Sequence, residues 1–106
     1  MIKVGNNLIV NTDSEIDIKN CPDGDCIVLT CGLKLNSTVT ASSIDEYGFT
    51  FCLQRSVYSL SNNIISPQEF NVHYTQKPDD LFPLLSVVTA MLLCDVDPKV
   101  FEIIRF

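Results

Sequence analysis

LFPLLSVVTAMLLC, at residues 81–94, is the most apolar segment of this sequence and constrains how the rest of the chain can fold. Apart from the weak thiol of Cys94, only Ser86 and Thr89 carry polar side chains here, so a helix would be apolar nearly all the way round. Such a helix must be covered on most of its sides. In a chain of 106 residues, either the remaining segments cover it or a second chain completes the cover.

The residues before this stretch predict where the helix begins. Asp79 is the predicted N-cap, and Asp80 complements the helix dipole in the first turn. Pro83 lies early enough in the helix that its missing N–H costs little. We therefore predict a helix over residues 79–94.

The residues after this stretch predict the end of the helix and a short final element. The sequence DVDP at residues 95–98 ends the helix, because the residue before a proline avoids the α region and acids are unfavourable at a helix C-terminus. A short C-terminal element is expected over residues 98–106. Either Asp97 caps a turn that begins at Pro98, or residues 100–106 form a final strand.

Residues 1–75 alternate short β-type segments with turn residues, which predicts a strand-rich region. Gly5-Asn6-Asn7 tolerates positive φ and predicts a hairpin between residues 2–4 and 8–10. The turn DEYG at residues 45–48 predicts a second hairpin. After this turn, Phe49, Phe51 and Leu53 alternate with polar residues and are expected to point inward.

Other segments of this region are expected as follows. The apolar run at residues 26–35 predicts a central strand, and residues 57–60 predict a short strand. A single helical turn is expected within residues 64–70, with Ser66 as its cap. Residues 71–75 are expected to form the last strand.

Together these patterns predict an α+β fold in a single domain spanning residues 1–106. The sheet is expected to be a small, twisted antiparallel sheet or partly open barrel of about five to seven short strands. The C-terminal apolar helix closes one side of it.

Composition and charge exclude some classes of function. The chain is 46% hydrophobic and 19% charged, which argues against disorder and favours an oligomer or a bound partner. Its formal net charge is −6, with lysines and arginines scattered singly. Because a nucleic-acid backbone needs a basic surface, direct nucleic-acid binding is not expected.

The sequence also predicts a cytoplasmic protein without a membrane span. Residues 1–11 do not combine a charged region with an apolar core, so they do not resemble a secretory signal. The longest apolar run falls short of the ~20 residues that span a bilayer. In the cytoplasm the five cysteines are expected to be reduced.

Four cysteines, Cys21, Cys26, Cys31 and Cys52, are candidate metal ligands. Thiolates bind zinc tetrahedrally, and the first two flank a Pro-Asp-Gly-Asp turn of the kind that zinc sites use. However, Cys26 and Cys31 are five positions apart in a predicted strand and would face opposite sides. Buried thiols are therefore the preferred interpretation, and no metal or other cofactor is predicted.

Catalysis has little support in the sequence. His73 is the one histidine, so a nucleophile and base pair would have to use it, as a Cys-His pair with an aspartate behind it, and no nucleophile motif surrounds any of the cysteines. Asp13, Glu15 and Asp17 share one face of a predicted strand, without the glycine and terminal glutamate of a calcium loop. They are interpreted as a solvated strand face, and no enzymatic activity is predicted.

Exposed apolar residues are the remaining candidates for a functional site. Aromatic and aliphatic residues of the kind that anchor interfaces occur in the turns and at the end of the chain. The predicted partner-binding residues are Tyr47, Tyr58, Phe70, Val100, Phe101, Ile104 and Phe106. The apolar segment at residues 100–106 either packs on its own domain or contacts another chain.

The sequence thus favours a small acidic protein-protein interaction module that is not an enzyme. Small acidic proteins of this kind occur among phage and viral accessory proteins that bind or inhibit a host factor, an analogy from composition alone. One alternative is a homo-oligomeric assembly component, such as a homodimer, that uses the helix and tail. Another is a thiol or zinc-binding protein.

Overall fold

The computed structural model describes residues 2–12 and 27–106. Its strands are β1 (Ile2–Val4), β2 (Asn7–Asn11), β3 (Ile27–Cys31), β4 (Val39–Ser42), β5 (Gly48–Leu53), β6 (Val57–Tyr58), β7 (Ile64–Ile65) and β8 (Gln68–His73). A helix, α1 (Phe82–Leu93), and a 3-10 helix (Pro98–Glu102) follow. Six strands form one sheet in the order β1-β2-β3-β4-β5-β8, and β6 and β7 form a separate two-stranded ribbon.

This architecture confirms the predicted α+β fold, in which one helix covers a small sheet. The sheet is open and mixed rather than antiparallel throughout. The β1-β2, β4-β5 and β5-β8 pairs are antiparallel, whereas β2-β3 and β3-β4 are parallel. Turn residues identify strands that a tight turn joins, and such strands are antiparallel. The parallel pairs join strands across longer connections, so no turn pattern predicts them.

Both predicted hairpins are confirmed. Gly5, in the turn between β1 and β2, has a φ of +59°, a conformation that glycine adopts without steric cost. In the turn before β5, the Oδ1 atom of Asp45 accepts hydrogen bonds from the backbone N–H groups of Tyr47 at 2.7 Å and Gly48 at 3.0 Å. The aspartate side chain thereby holds the backbone of the turn.

The two halves of the sheet meet at a single residue pair, Cys31 of β3 with Val39 of β4. Four hydroxyl side chains lie beside this pair, those of Thr12, Thr30, Ser37 and Thr38. The backbone N–H of Thr38 donates to Thr30 Oγ1 at 2.8 Å, and Thr12 Oγ1 lies 2.9 Å from Ser37 Oγ. These side-chain hydrogen bonds compensate for the short backbone ladder between the halves.

The hydrophobic core lies between one face of the sheet and α1. Phe49, Phe51 and Leu53 of β5 are buried there, as predicted. The helix contributes Leu85, Val88, Leu92 and Leu93. Its two buried hydroxyls bond to the helix backbone, because Ser86 Oγ donates to the Pro83 carbonyl and Thr89 Oγ1 to the Leu85 carbonyl. The polar residues of α1 therefore enter the core with their hydrogen bonds satisfied.

The helix begins later than predicted. It starts at Phe82, Leu81 occupies the N-cap position, and Asp79 is exposed and does not cap it. The Oδ1 atom of Asp80 instead accepts a hydrogen bond from the backbone N–H of Phe82 at 3.0 Å. The N-cap position therefore lies two residues after the predicted one, and Asp80 rather than Asp79 bonds to the first N–H of the helix.

The C-terminal segment folds back on its own sheet. Asp97 caps the 3-10 helix through a 3.0 Å bond from the backbone N–H of Lys99, which is the first of the two predicted alternatives. The Phe101 ring stacks on Phe70, with ring centroids 5.1 Å apart. Beyond it, the backbone N–H of Phe106 donates to the carbonyl of His73 at 2.9 Å. The tail therefore borders the outer edge of β8.

Residues 64–75 differ from the prediction. The segment expected to hold a helical turn contains β7 and the start of β8, and β8 ends at His73 rather than at residue 75. A proline after a serine is typical of a helix start, but Phe70 has its place in the core opposite Phe51. This tertiary contact favours an extended chain over the local signal.

Several predictions concern residues outside the described ranges. They include the half-solvated strand with Asp13, Glu15 and Asp17, and the turn that contains Cys21, Asp23 and Asp25. Cys26 also lies outside these ranges.

The replacement of Gly48 by alanine is expected to destabilise the fold by about 1–3 kcal/mol. A Cβ atom at this position would overlap the backbone carbonyl of Val72 in the neighbouring strand, which cannot move without breaking the ladder. Urea unfolding measures the loss.

Gly5→Ala is the comparison variant. It has an unfavourable positive φ, but its Cβ would meet the flexible end of the Leu60 side chain rather than backbone. We expect a smaller loss, about 1 kcal/mol. A larger loss for Gly5→Ala than for Gly48→Ala would contradict this account of the β5-β8 contact.

Candidate interaction surface

An apolar groove of about 330 Å³ lies along the outer side of α1, beside the C-terminal tail. It is lined by Tyr74, Gln76, Pro78, Asp80, Pro83, Leu84, Val87 and Phe106. We call it the helix–tail groove. The surface of the groove consists almost entirely of carbon atoms. Two of its lining residues are ionisable, Asp80 and Tyr74, and Tyr74 is buried.

The groove exists because the sheet covers only one side of an all-round apolar helix. Leu85, Val88 and Leu92 face the sheet, and Val87, on the other side of the helix, is 45% exposed. Pro83, one turn earlier, is also exposed. No residue of α1 carries a charge, so the uncovered side has no polar stripe.

The tail forms the opposite wall. The Phe106 ring stacks against Phe101, with centroids 6.4 Å apart, and keeps part of its surface exposed. Tyr74 anchors the adjacent strand end, because its hydroxyl donates to the carbonyls of Asp45 and of Gly48, the latter at 3.1 Å. Burial, followed by the nearby charge of Asp45, raises the pKa of Tyr74. The wall is therefore held in place by the fold itself.

The structure separates the predicted partner-binding residues into three groups. Phe70 is 8% exposed and Phe101 is fully buried, so the structure places both predicted contact residues in the core rather than at the surface. Each stacks with other phenylalanines inside the core, where aromatic surface is removed from water. Neither ring is available to a partner in this fold.

The remaining five predicted residues keep exposed surface. Tyr47 and Tyr58 are exposed at separate turns. Val100, Ile104 and Phe106 are partly buried, and of these Phe106 lines the helix–tail groove. The sequence prediction missed Pro83, Leu84 and Val87, although the lack of a polar stripe in residues 81–94 was the signal that could have found them.

His73 lies near the exposed Tyr47, in a shallow depression at the end of β8. The depression also contains Thr50 and Asn71, and Thr50 Oγ1 donates to Asn71 Oδ1 at 3.2 Å. None of its lining residues is a cysteine. The Cys-His pair that the sequence left open is thus not assembled at this depression.

The cysteines that the structure describes do not come together. Cys31 pairs with Val39, which pairs with Leu53, so Cys31 shares a sheet face with Leu53. Cys52 is adjacent to Leu53 in β5 and points to the opposite face. In residues 2–12 and 27–106, no group of three or more His, Cys, Asp and Glu side chains is placed to hold a metal ion.

The described thiols differ in their surroundings. Cys31 is buried with its Sγ atom 3.7 Å from Thr89 Oγ1, and burial raises the pKa of the thiol to about 12. Cys52 is also buried, whereas Cys94 is exposed at the end of α1. All three are free.

Asp95 fixes the turn between β6 and β7 to the end of the helix. This residue has a φ of +64° and accepts hydrogen bonds from Ser61 Oγ at 2.6 Å and Asn63 Nδ2 at 3.2 Å. The backbone N–H of Leu60 donates to the Leu93 carbonyl at 2.8 Å. Hydrogen bonding from Ser61, and then from Ser59 and Asn63, lowers the pKa of the Asp95 carboxyl.

No protein-family model matches this chain, and no curated protein and no solved structure shows detectable similarity to it. Among the described residues, no helix has the length and apolar character needed to cross a lipid bilayer.

Thiol labelling is expected to distinguish the described cysteines. Iodoacetamide should modify Cys94 at least about tenfold faster than Cys31 or Cys52 in the folded protein, because alkylation requires an accessible thiolate. Mass spectrometry of the separate peptides gives each rate. Labelling in urea is the control, where the three rates should converge. Rapid native modification of Cys31 would contradict its burial.

Stability is expected to fall at acidic pH through Asp95. Its pKa is lowered in the folded state, so its stabilising contribution is complete above the unfolded pKa of about 3.9 and is lost as the pH falls through the folded value. The variant Asp95→Asn keeps a residue type that tolerates positive φ but removes the titration.

Urea midpoints of both proteins at pH 7 and pH 3 test this prediction. Wild type should exceed Asp95→Asn by more at pH 7 than at pH 3. An equal difference in urea midpoint at pH 7 and pH 3 would show that the charge of the Asp95 carboxylate does not stabilise the folded state.

Proposed function

We propose that this protein is a non-enzymatic protein-protein interaction module and that the helix–tail groove is its contact surface. The observation that carries the proposal is the uncovered side of α1, where Pro83, Leu84 and Val87 continue without a charged residue into Phe106 of the tail. Apolar concave surfaces of this kind are typical of sites for apolar side chains of a partner.

The size and surroundings of the groove indicate what kind of segment fits. A space of about 330 Å³ accommodates one or two apolar side chains rather than a whole domain. Asp80 lines the groove and Asp79 lies exposed next to it. Together with the net charge of −6, these acids favour a partner segment that carries a basic residue beside its apolar anchor.

A rigid wall supports binding. The groove is bordered by the helix and by the tail, which is tied to β8 through Phe106 and the stacked rings of Phe101 and Phe70. A surface that is already in its binding geometry loses little conformational entropy when a partner docks. The three free thiols among the described residues agree with action in the cytoplasm, where cysteines stay reduced.

Self-assembly through the tail is the second candidate, and it has less support. Phe101 of the tail is fully buried in its own chain and has no surface left for a second copy. A second copy could contact the tail only through the exposed Ile103 and the partly buried Val100, Ile104 and Phe106. We therefore expect a monomer by multi-angle light scattering, whereas a stable dimer would favour assembly.

The substitution Val87→Asp is expected to reduce partner binding at least about tenfold, because it places a charge on the apolar side of the groove. The protein is expressed with an affinity tag in cells that naturally produce it, and crosslinked partners are quantified by mass spectrometry. Circular dichroism verifies that the variant is folded, which is expected because Val87 is half exposed.

Leu35→Asp is the matched control. Leu35 is 92% exposed in the loop before β4 and does not line the groove, so the same change of charge there should leave recovery unchanged. Equal recovery of the same protein by wild type and both variants would exclude the groove as the contact surface.

A further inference from the structure

The uncovered side of α1 extends beyond the helix–tail groove to the C-terminal end of the helix. With 3.6 residues per turn, the six buried residues of the helix fall on one continuous arc that faces the core. Apart from Phe82 in the first turn, the residues that keep exposed surface fall on the remaining arc: Pro83, Leu84, Val87, Ala90, Met91 and Cys94. We call this set the α1 stripe.

The spacing of the α1 stripe is that of a surface on which a second helix packs. Pro83, Val87, Ala90 and Cys94 are separated by four, three and four positions, and the two remaining residues of the stripe flank them. Apolar residues at alternating spacings of three and four lie on one side of a helix and pack against another helix at a shallow angle. No residue of the stripe carries a charge that would interrupt such packing.

The stripe offers a partner almost no hydrogen-bonding group. Ser86 and Thr89 lie on the buried side, where their hydroxyls donate to carbonyls of the helix itself, and the thiol of Cys94 is the one polar side-chain group of the stripe. The backbone of an extended segment placed here would lose its hydration without gaining replacement bonds. A helix satisfies its backbone internally, so it is the form of chain that this surface favours.

Acidic residues adjoin the stripe at both of its ends. Asp80 lines the helix–tail groove, and the exposed Asp79 precedes it. At the other end, the exposed Asp95 follows Cys94 directly in the chain, and the exposed Asp97 lies two residues further on. The apolar stripe is therefore bounded by a pair of carboxylates before it and a pair after it.

These charges distinguish between possible occupants. Each pair of carboxylates is accompanied by one lysine, Lys77 or Lys99, so each end keeps a net charge of −1. A second copy of this chain would bring acid against acid in either a parallel or an antiparallel arrangement, which is unfavourable. A helix with basic residues at both ends is complementary. The acids that adjoin the two ends lie about 22 Å apart along the helix axis.

We propose that the α1 stripe binds an amphipathic helix of a protein partner, with one apolar side and with basic residues near both of its ends. The helix–tail groove takes one or two of its apolar side chains, and the stripe continues the contact as far as Cys94. This inference rests on the proposed function, because it names the class of partner segment. It adds Ala90, Met91 and Cys94, which do not line the groove, to the contact surface.

Synthetic peptides test the proposal without the natural partner. The first has about 18 residues, with leucines at alternating spacings of three and four among alanine and glutamine, and two lysines at each end. The second carries glutamates in place of the lysines. The third keeps the composition and ends of the first but has leucine at every second position, a pattern that favours an extended chain.

The lysine-ended helical peptide is expected to bind the whole chain at least about tenfold more tightly than either of the other two peptides. Fluorescence anisotropy of labelled peptides gives the affinities. In the ¹H-¹⁵N spectrum, the backbone signals of Val87, Ala90 and Met91 should shift. Salt at about 0.5 M should reduce the advantage over the glutamate-ended peptide, because it screens exposed charges.

The variant Ala90→Gln tests the apolar part of the stripe outside the groove. A longer, uncharged polar side chain here is expected to weaken binding of the lysine-ended peptide about tenfold. Leu35→Gln is the matched control, because Leu35 is 92% exposed and lies outside the stripe. The comparison of the three peptides with wild type remains decisive if Ala90→Gln fails to fold.

The variant Asp79→Lys tests the charge at one end. It is expected to reduce the preference for lysine-ended over glutamate-ended peptide at least about threefold. Glu69→Lys makes the same change of charge elsewhere, because Glu69 is exposed and pairs with Cys52, whose side chain points away from α1. This control should leave the preference unchanged.

Three outcomes would overturn the proposal: equal or tighter binding of either comparison peptide, shifts confined to other surfaces, or no binding of any peptide. An equal effect of Asp79→Lys and Glu69→Lys would also overturn it, because net charge alone would then explain the preference. If no peptide binds but Val87→Asp lowers partner recovery, the groove stands and its occupant is not such a helix. Peptide binding without a Val87 effect on recovery would support the stripe and contradict the proposed function.

Discussion

Helix α1 is apolar on every side, and the arrangement of the other elements follows from the need to cover it. A sheet presents one flat face, so it removes only one side of such a helix from water. Here that face covers Leu85, Val88 and Leu92, and the C-terminal tail adds Phe101 and Phe106 at the edge. The part of the helix surface around Val87 is covered by neither element and lines the helix–tail groove. The groove is therefore a direct consequence of a small chain that carries an all-round apolar helix.

The sheet that provides this cover is itself joined at one point. The Cys31–Val39 pair connects its halves, and the buried hydroxyls of Thr12, Ser37 and Thr38 take over the hydrogen bonding that a longer ladder would provide. Above this junction, Cys31 Sγ contacts Thr89 of the helix. Cys31, one of the four candidate metal ligands, therefore lies where the two sheet halves and the helix meet, and its burial there raises the pKa of its thiol.

Local sequence signals were sufficient for the elements whose geometry is local. The Gly5 hairpin, the Asp45 turn, the inward side of β5 and the existence of the helix all follow from residue types a few positions apart, because turns and periodicity involve only neighbouring residues. The α+β class follows from those elements in order. Of the proposed contact surface, only the apolar character of residues 81–94 and Phe106 could be predicted in this way.

Tertiary structure alone decided the rest. The parallel β2-β3 and β3-β4 pairs, the strand in place of a helical turn before Phe70, and the burial of Phe101 depend on contacts between residues far apart in the chain. The same is true of Asn7, whose burial and whose 3.4 Å hydrogen bond to the backbone carbonyl of Tyr58 depend on a residue distant in the chain. Sequence therefore determined which segments are apolar, and the three-dimensional packing determined which apolar and polar groups were left without a partner.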